Sequence, residues 1–374
     1  MSSQKCLNVG LFTISNPQSH GGLEVYVRGI ARCLESQGAM VTINGQAPNL
    51  LASLEDHWKP RVNQLLPLMT RPSLRFLARL VAKWNSREWA EQAVMDCDIV
   101  HFVGTGWDLL GFALVRATEK YGKKITCLPA VHPSTWGDSP LDIDFYKRVD
   151  VVFALSDYEA HHLAMLGVPP DKFTRCGCAP SSQSTGNAQR FREKHKVADK
   201  KIVLFVGRKT TGKGYHALRH SIAKLAGERP DIVLVSIGKD SAPPYPSLPV
   251  SIDIDLGATD ESTKQDALAA CDIFALPSEA ESFGIVYVEA WSYGKPVITG
   301  KAPASREMVL RHNAGLTTDN TPDDIKEKIN TLLSNPEVAR QMGRNGLMAF
   351  RQNYTLEKIV ETHCATWNSI KSKR

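Results

Sequence analysis

Short apolar runs alternate with stretches of helical periodicity along almost the whole chain, and this alternation limits the possible folds more than any other feature. Residues 8–14, 40–43, 98–103, 124–131 and 151–155 are runs of strand length bounded by turn residues or charges. Residues 23–37, 109–121 and 158–166 carry apolar side chains at helical spacing, and Gly38, Gly122 and Gly167 follow them as stop signals. Repeated strand–helix units build a parallel sheet covered on both faces, and ligands of such sheets sit at the carboxyl ends of the strands. Around residues 179–187 the sequence turns polar and helix-breaking, as a linker does. The alternation then restarts with 201–206, a helix from Tyr215, and 232–237. At 374 residues the chain exceeds one ordinary core, so the expected class is α/β, with two Rossmann-like, doubly wound parallel-sheet domains and a cleft between them.

The most informative segment is Pro277-Ser-Glu-Ala-Glu281-Ser-Phe-Gly284-Ile-Val-Tyr-Val-Glu289-Ala290. An apolar run, 272–276, feeds a Pro-Ser turn, a loop of small residues, and a helix stopped by Gly294 and Pro296. A loop entering a helix in this way offers free N–H groups and the positive end of the helix dipole to an anion such as a phosphate. Two carboxylates flank that anion site. Glu281 lies in the loop and Glu289 about two turns into the expected helix, placed to grip hydroxyls of a nucleotide sugar. Taken singly, each glutamate reads equally well as a solvated acid.

A second loop, Gly207-Arg-Lys-Thr-Thr-Gly212-Lys213, nearly spells a nucleotide triphosphatase P-loop. The next residue is Gly214, however, where a P-loop needs the Ser or Thr hydroxyl that coordinates magnesium. Arg208 and Lys213 suit a diphosphate without metal, because both supply fixed positive charge and the glycines leave the backbone open. Gly104-Thr-Gly106 suggests a dinucleotide fingerprint but fails at the third glycine, where Leu109 stands. Two Asp-Ile-Asp triplets, Asp142/Asp144 and Asp253/Asp255, resemble paired metal ligands. They are expected to be solvated faces, so no metal site is expected.

These motifs together resemble the retaining GT-B glycosyltransferases of family 4, and the matches run in order from about Val9 to Tyr354. The resemblance implies that Glu281 holds hydroxyls of the donor sugar and Glu289 the ribose. It implies that Gly207, Arg208 and Lys213 hold the diphosphate, and that Gly257, Ala258 and Thr259 hold the base through backbone groups. Ser282, Phe283 and Gly284 are expected beside the donor. Gly21-Gly22-Leu23-Glu24 resembles the family's amino-terminal glycine loop, and Val131-His132 its mid-chain histidine. His132 is expected to end a strand and touch donor or acceptor, although a lone histidine is as readily structural. The implied organisation is an acceptor-side domain over 1–180, a nucleotide-sugar domain over 181–355, and a last helix, within 356–374, that crosses back to the first domain.

Two departures stand out. Cys176-Gly177-Cys178-Ala179 occupies the place where many members carry Asn-Gly-Val-Asp, and Lys301-Ala-Pro-Ala-Ser-Arg306 replaces the glycine-rich approach to Glu307.

Composition excludes several classes. A hydrophobic content of 43% with 22% charged residues is that of a globular protein, and no apolar run reaches the length of a membrane span. The apolar stretch after Lys5 reads as a first strand and not as a signal peptide. The eight cysteines lack framework spacing, as in a reducing compartment, so a cytoplasmic protein is expected. The net charge of +6 is local: residues 57–90 hold seven Lys or Arg against Glu88. Arg71, Arg75, Arg79, Lys83 and Arg87 recur every four residues opposite Leu77, Val81 and Trp84, which makes a basic amphipathic helix. Its plain reading is a helix packed on the first domain. Its functional reading is peripheral attachment to an anionic membrane on the inner face, or recognition of an anionic acceptor.

The expected function is therefore a metal-independent, retaining transfer of a sugar from a nucleotide diphosphate donor, UDP favoured, to an acceptor hydroxyl. The donor is a co-substrate, and no cofactor is expected. Two alternatives are a sugar phosphorylase or nucleotide-sugar epimerase of similar architecture, and a non-enzymatic nucleic-acid-binding protein using the basic helix. The loop motifs argue against nucleic acid as a partner.

Overall fold

The computed structural model describes residues 7–13, 22–43, 87–133, 135–180, 185–240, 248–249 and 251–372. The chain divides into two compact units, Met1–Cys178 with Leu356–Arg374, and Ala179–Thr355. The basic stretch 71–86 lies outside the described residues; Arg87 is the first residue of a described helix.

In the first unit, β1 (Asn8–Thr13), β2 (Met40–Ile43), β3 (Ile99–Val103), β4 (Lys124–Leu128), β5 (Val151–Ala154) and β6 (Phe173–Arg175) form one parallel sheet in the order β2-β1-β3-β4-β5-β6. The intervening helices are α1 (Gly22–Ser36), α2 (Arg87–Met95), α3 (Leu110–Tyr121), α4 (Pro140–Tyr146) and α5 (Asp157–Met165). The central strands β3 and β5 are buried along their whole length, which is why β5 reads as an unbroken apolar run and β3 as one interrupted only by the buried His101. Phe102, Phe112, Phe145 and Tyr146 fill the core between β3, α3 and α4, with ring centroids 5.5 to 5.7 Å apart in edge-on pairs.

Strand β4 is shorter than the expected 124–131. It stops at Leu128, and Ala130 takes a left-handed backbone with φ 51°, which cannot continue a strand. The turn Gly106–Asp108 also has a structural explanation. The Asp108 carboxylate accepts from the Thr105 N–H at 2.6 Å, and a Cβ on Gly106 would meet the Leu141 carbonyl at 2.4 Å. Gly106 thus serves packing against α4, and Gly104 lies against Asp108 and Phe102.

The second unit repeats the plan. Its strands are β7 (Lys201–Val206), β8 (Ile232–Ile237), β9 (Asp253–Asp255), β10 (Ile273–Leu276), β11 (Val297–Thr299) and β12 (Gly315–Thr317), parallel in the order β12-β11-β10-β7-β8-β9. Its helices are α6 (Ala188–Lys194), α7 (Tyr215–Ala226), α8 (Glu261–Ala270), α9 (Ile285–Ser292), α10 (Pro303–His312), α11 (Pro322–Ser334) and α12 (Pro336–Ala349). Trp291, fully buried, donates its indole N–H to the Ala314 carbonyl at 3.2 Å and leaves α12 room only for Gly346 beside it.

The final helix, α13 (Leu356–Ser372), packs on the first unit against α1. Gly29 of α1 makes the contact close: a Cβ there would stand 3.4 Å from Leu356 Cδ1. Tyr26 Oη lies 2.6 Å from His363 Nε2, Trp367 Nε1 donates to Thr126 Oγ1 at 3.1 Å, and Lys371 pairs with Asp98 at 2.9 Å. No helix among the described residues is long and apolar enough to cross a membrane.

Candidate active site

In the second sheet β7 is followed on one side by β8 and β9, whereas β10 lies on its other side. Loops leaving the carboxyl ends of β7 and β10 therefore diverge, the place where open α/β sheets bind ligands. The loops there are 207–214 and 277–284, which bear both sequence motifs. They also hold one another. The Glu279 N–H donates to the Gly212 carbonyl at 2.9 Å, and Ser278 Oγ donates to the same carbonyl at 3.3 Å.

Within the first loop, Thr210 caps a short turn, accepting from the Lys213 N–H, and Gly214 ends it with φ 70°. A Cβ on Gly214 would stand 2.0 Å from the Pro277 carbonyl oxygen, so the position has no space for a side chain. This packing explains why no P-loop hydroxyl stands there. Gly207 has ordinary room for a Cβ against Leu276 and Phe205. The close approach belongs instead to Gly238, whose Cβ would meet the Gly207 carbonyl oxygen at 1.9 Å.

Lys213 Nζ lies 2.6 Å from Glu281 Oε1 and joins the two loops by charge as well. Arg208 is exposed in the same loop. Its neighbour Lys209 is not: that side chain is 0% exposed, bonded to Asp255, 3.3 Å from Asp240 and 5.8 Å from the centre of the Tyr215 ring. Adjacent cations thus part, one to solvent and one to the interior.

The second loop enters α9 through Gly284, φ 84°, while Phe283 is buried against Tyr354. Glu289 is the fifth residue of α9, one turn in and not the expected two, because the helix starts only at Ile285. Its side chain is 4% exposed. Oε1 accepts from Lys264 Nζ at 2.9 Å, and Oε2 is buried with no hydrogen-bond partner among the described residues. Burial pushes the Glu289 carboxyl up, and Lys264 opposes that push. Burial works against the Lys264 ammonium too, but the Glu289 and Glu261 carboxylates outweigh it and hold that group charged. Lys264 was not legible from any motif, since it lies on α8, 25 positions before its partner. Ser282 is half-buried and Ala258 exposed, while Thr259 carries a buried Oγ1 with no partner among the described residues. Gly257, φ 59°, accepts from the Gly238 N–H at 2.7 Å, which joins the β8 and β9 loops.

The remaining expected residues belong to the first unit. Gly22 opens α1, and Gly21 lies outside the described residues. His132 does not end a strand. It begins a tight turn in which its N–H donates to the Trp136 carbonyl at 2.9 Å and the Trp136 N–H donates back at 2.8 Å. The preceding Val131 N–H donates at 2.5 Å to Glu159, a fully buried carboxyl that desolvation pushes up to about 7. The aspartate triplets are only in part the solvated faces expected of them: Asp255 is exposed, whereas Asp142 and the Asp253 side chain are buried. Asp142 is buried in the capping box of α4 and accepts from the Trp107 N–H at 3.0 Å. Asp253 pairs with Arg219 at 2.5 Å, and Asp255 holds Lys209. Among the described residues, no group of three or more His, Cys, Asp or Glu is placed to hold a metal ion. Cys176 and Cys178 are buried free thiols, and Glu307 pairs with Arg311 along α10 at 3.1 Å.

Two parallel six-stranded α/β units, the second with a basic loop and an acidic loop at its switch point, define the class of GT-B proteins. The chain is similar over 97% of its length to all of the structure of Anabaena HepE in complex with UDP, with TM-score 0.68 and 20% identity. It is likewise similar over 98% of its length to all of the sucrose-phosphate synthase of Thermosynechococcus elongatus, with TM-score 0.73 and 17% identity. The family described as Glycosyltransferase Family 4 matches residues 20–179, and that described as Glycosyl transferases group 1 matches residues 187–347. The chain belongs to the family 4, group 1 glycosyltransferases.

Among curated relatives, the GDP-mannose-dependent alpha-(1-6)-phosphatidylinositol monomannoside mannosyltransferase of Mycolicibacterium smegmatis is 28% identical over 58% of this chain and 62% of its own length. The D-inositol 3-phosphate glycosyltransferase of Segniliparus rotundus is 31% identical over 39% of this chain and 35% of its own length. The chain thus spans under two thirds of the length of each of these relatives.

Proposed function

We propose that the chain is a retaining, metal-independent glycosyltransferase that moves a sugar from a nucleotide diphosphate donor to an acceptor hydroxyl. The observation that carries this reading is the Lys213–Glu281 pair, 2.6 Å apart at the sheet's switch point, with exposed Arg208 in the same loop. Chemically, breaking the bond to the donor sugar loads negative charge on the departing diphosphate, and stabilising that charge is the main electrostatic task. Arg208 and Lys213 would supply it. Lys213 has three N–H donors, so it can hold Glu281 and a phosphate oxygen together.

Glu281 would then hold sugar hydroxyls, with Ser282, Phe283 and Gly284 beside the donor. Glu289 would take the ribose, and the backbone of 257–259 the base. Retention needs no protein base here, since the leaving phosphate can take the acceptor's proton. Gly22 and His132 are proposed to serve the acceptor. For the nucleotide, UDP is proposed first: HepE was solved with UDP, whereas the mannosyltransferase relative is named for GDP-mannose. We also place the protein in the cytoplasm, with the basic stretch 71–87 resting on an anionic inner membrane surface.

The test is donor consumption. A panel of UDP- and GDP-sugars is incubated with the full chain in EDTA, with release of free nucleotide measured. Release of UDP or GDP in EDTA, with the anomeric configuration kept in the product, supports the reading. Activity that needs added manganese would overturn its metal-independent part, and an inverted product its retaining part.

A further inference from the structure

Lys264 stands outside every motif, yet it makes the only hydrogen bond that the described residues give the Glu289 side chain. It is itself largely buried, with 16% of its side chain exposed, and it bridges Glu289 at 2.9 Å and Glu261 at 3.0 Å. Its place is set from within α8: Asp260 caps that helix, accepting from the Thr263 N–H at 2.7 Å, which puts Lys264 one turn in. The consequence falls on Glu289. One oxygen is spent on the ammonium, while the other is buried without a partner, an arrangement that costs free energy unless a ligand completes it.

We propose that Lys264 is a positioning residue: by clamping one oxygen of Glu289 it commits the other to a hydroxyl of the donor ribose, so the site selects nucleotides that carry vicinal ribose hydroxyls. This rests on the donor site proposed above. Without Lys264 the carboxylate would be buried with no counter-charge. Burial, which pushes the Glu289 carboxyl up, would then act unopposed by the ammonium, and a protonated carboxyl loses the charge-assisted bond to a hydroxyl. With Lys264 in place the charged form is favoured and one oxygen is held in position. Glu261 ties the ammonium from its other side and restricts its rotation.

The experiment measures binding of UDP and its 2′,3′-dideoxy analogue by calorimetry, in EDTA, from pH 7 to 9. It uses the wild-type chain, Lys264→Met and Lys264→Arg, each first checked for an unchanged Tm. If UDP does not bind, GDP and its dideoxy analogue are used. Wild type should prefer the ribonucleotide by about tenfold to a hundredfold, the worth of one hydrogen bond to a charged group, with affinity flat across this range. Lys264→Met should lose most of that preference and regain affinity as pH rises and Glu289 ionises. Lys264→Arg should keep the preference, and this arm stands even if the methionine variant fails to fold. A Lys264→Met variant that retains preference and flat pH dependence, or a Lys264→Arg variant that loses the preference with Tm intact, overturns the proposal. Failure of wild type to bind either nucleotide overturns the donor-site reading beneath it.

Discussion

Lys213 Nζ sits 2.6 Å from Glu281 Oε1, so the cation proposed to meet the diphosphate is already held by the carboxylate proposed to meet the sugar. Glu289, eight residues on, is held by a different lysine on a different helix. The two glutamates of the motif therefore sit in separate ion pairs and should respond differently to the same substitution.

Glu281→Gln releases Lys213. Affinity for bare nucleoside diphosphate should stay equal or tighten by up to about fivefold, the worth of a partly exposed ion pair, while turnover falls. Glu289→Gln should weaken the same ligand. Calorimetry on both variants checks this, and equal losses of affinity would contradict the two roles.

Arg208 is exposed, with no salt-bridge partner among the described residues, so its removal leaves no buried charge behind. Arg208→Ala should leave Tm nearly unchanged and lower turnover about a hundredfold, or about 3 kcal/mol of transition-state stabilisation. Steady-state kinetics beside a melting curve separates that from general damage. By contrast Lys209→Ala should lower Tm, since it strips Asp255 and Asp240 of a buried partner.

Gly214→Ala should damage both loops at once. The residue has φ 70°, and its Cβ would stand 2.0 Å from the Pro277 carbonyl oxygen. A loss of about 1–3 kcal/mol is expected in chemical denaturation, with weakened nucleotide binding. An alanine variant of wild-type stability would mean the loops are not packed as described.

Acid should destabilise the first unit through His363. Its Nδ1 lies 2.7 Å from the Ile359 carbonyl and must donate to it, which leaves Nε2 to accept from the Tyr26 hydroxyl. Burial disfavours the charged ring and holds its pKa at about 4. An unfolded histidine titrates near 6.5, so between those values the unfolded chain binds a proton that the folded chain refuses. Stability is full above the unfolded value and falls as pH drops to about 4, by up to about 3 kcal/mol. His101, also buried and depressed, adds in the same direction. Denaturation of wild type and His363→Phe between pH 7 and 4 checks the sign: the variant should show the smaller loss.

Much of the fold was legible because parallel strands buried on both faces leave unbroken apolar runs, as in β5 and β10. The two loops were legible because glycine and proline punctuate them. Side-chain direction was less so. Nothing in Arg208-Lys209 tells which cation turns inward, since that depends on Asp255 and Asp240, which reach it only through the β7–β8–β9 order. Asp142 reads as a solvated acid until α4 places it in a capping box beneath the Trp107 N–H. Lys264 needed the packing of α8 beside α9, a contact with no local signature.

The most direct test of the account is calorimetric titration of UDP and GDP into the wild-type chain and Lys213→Ala, with EDTA present. One of the two nucleotides is expected to bind wild type without metal and to lose about tenfold or more in affinity on Lys213→Ala, as for a charge-assisted bond to phosphate. Binding that is absent from wild type, or that survives Lys213→Ala undiminished, would contradict a donor site built on the Lys213 and Glu281 loops.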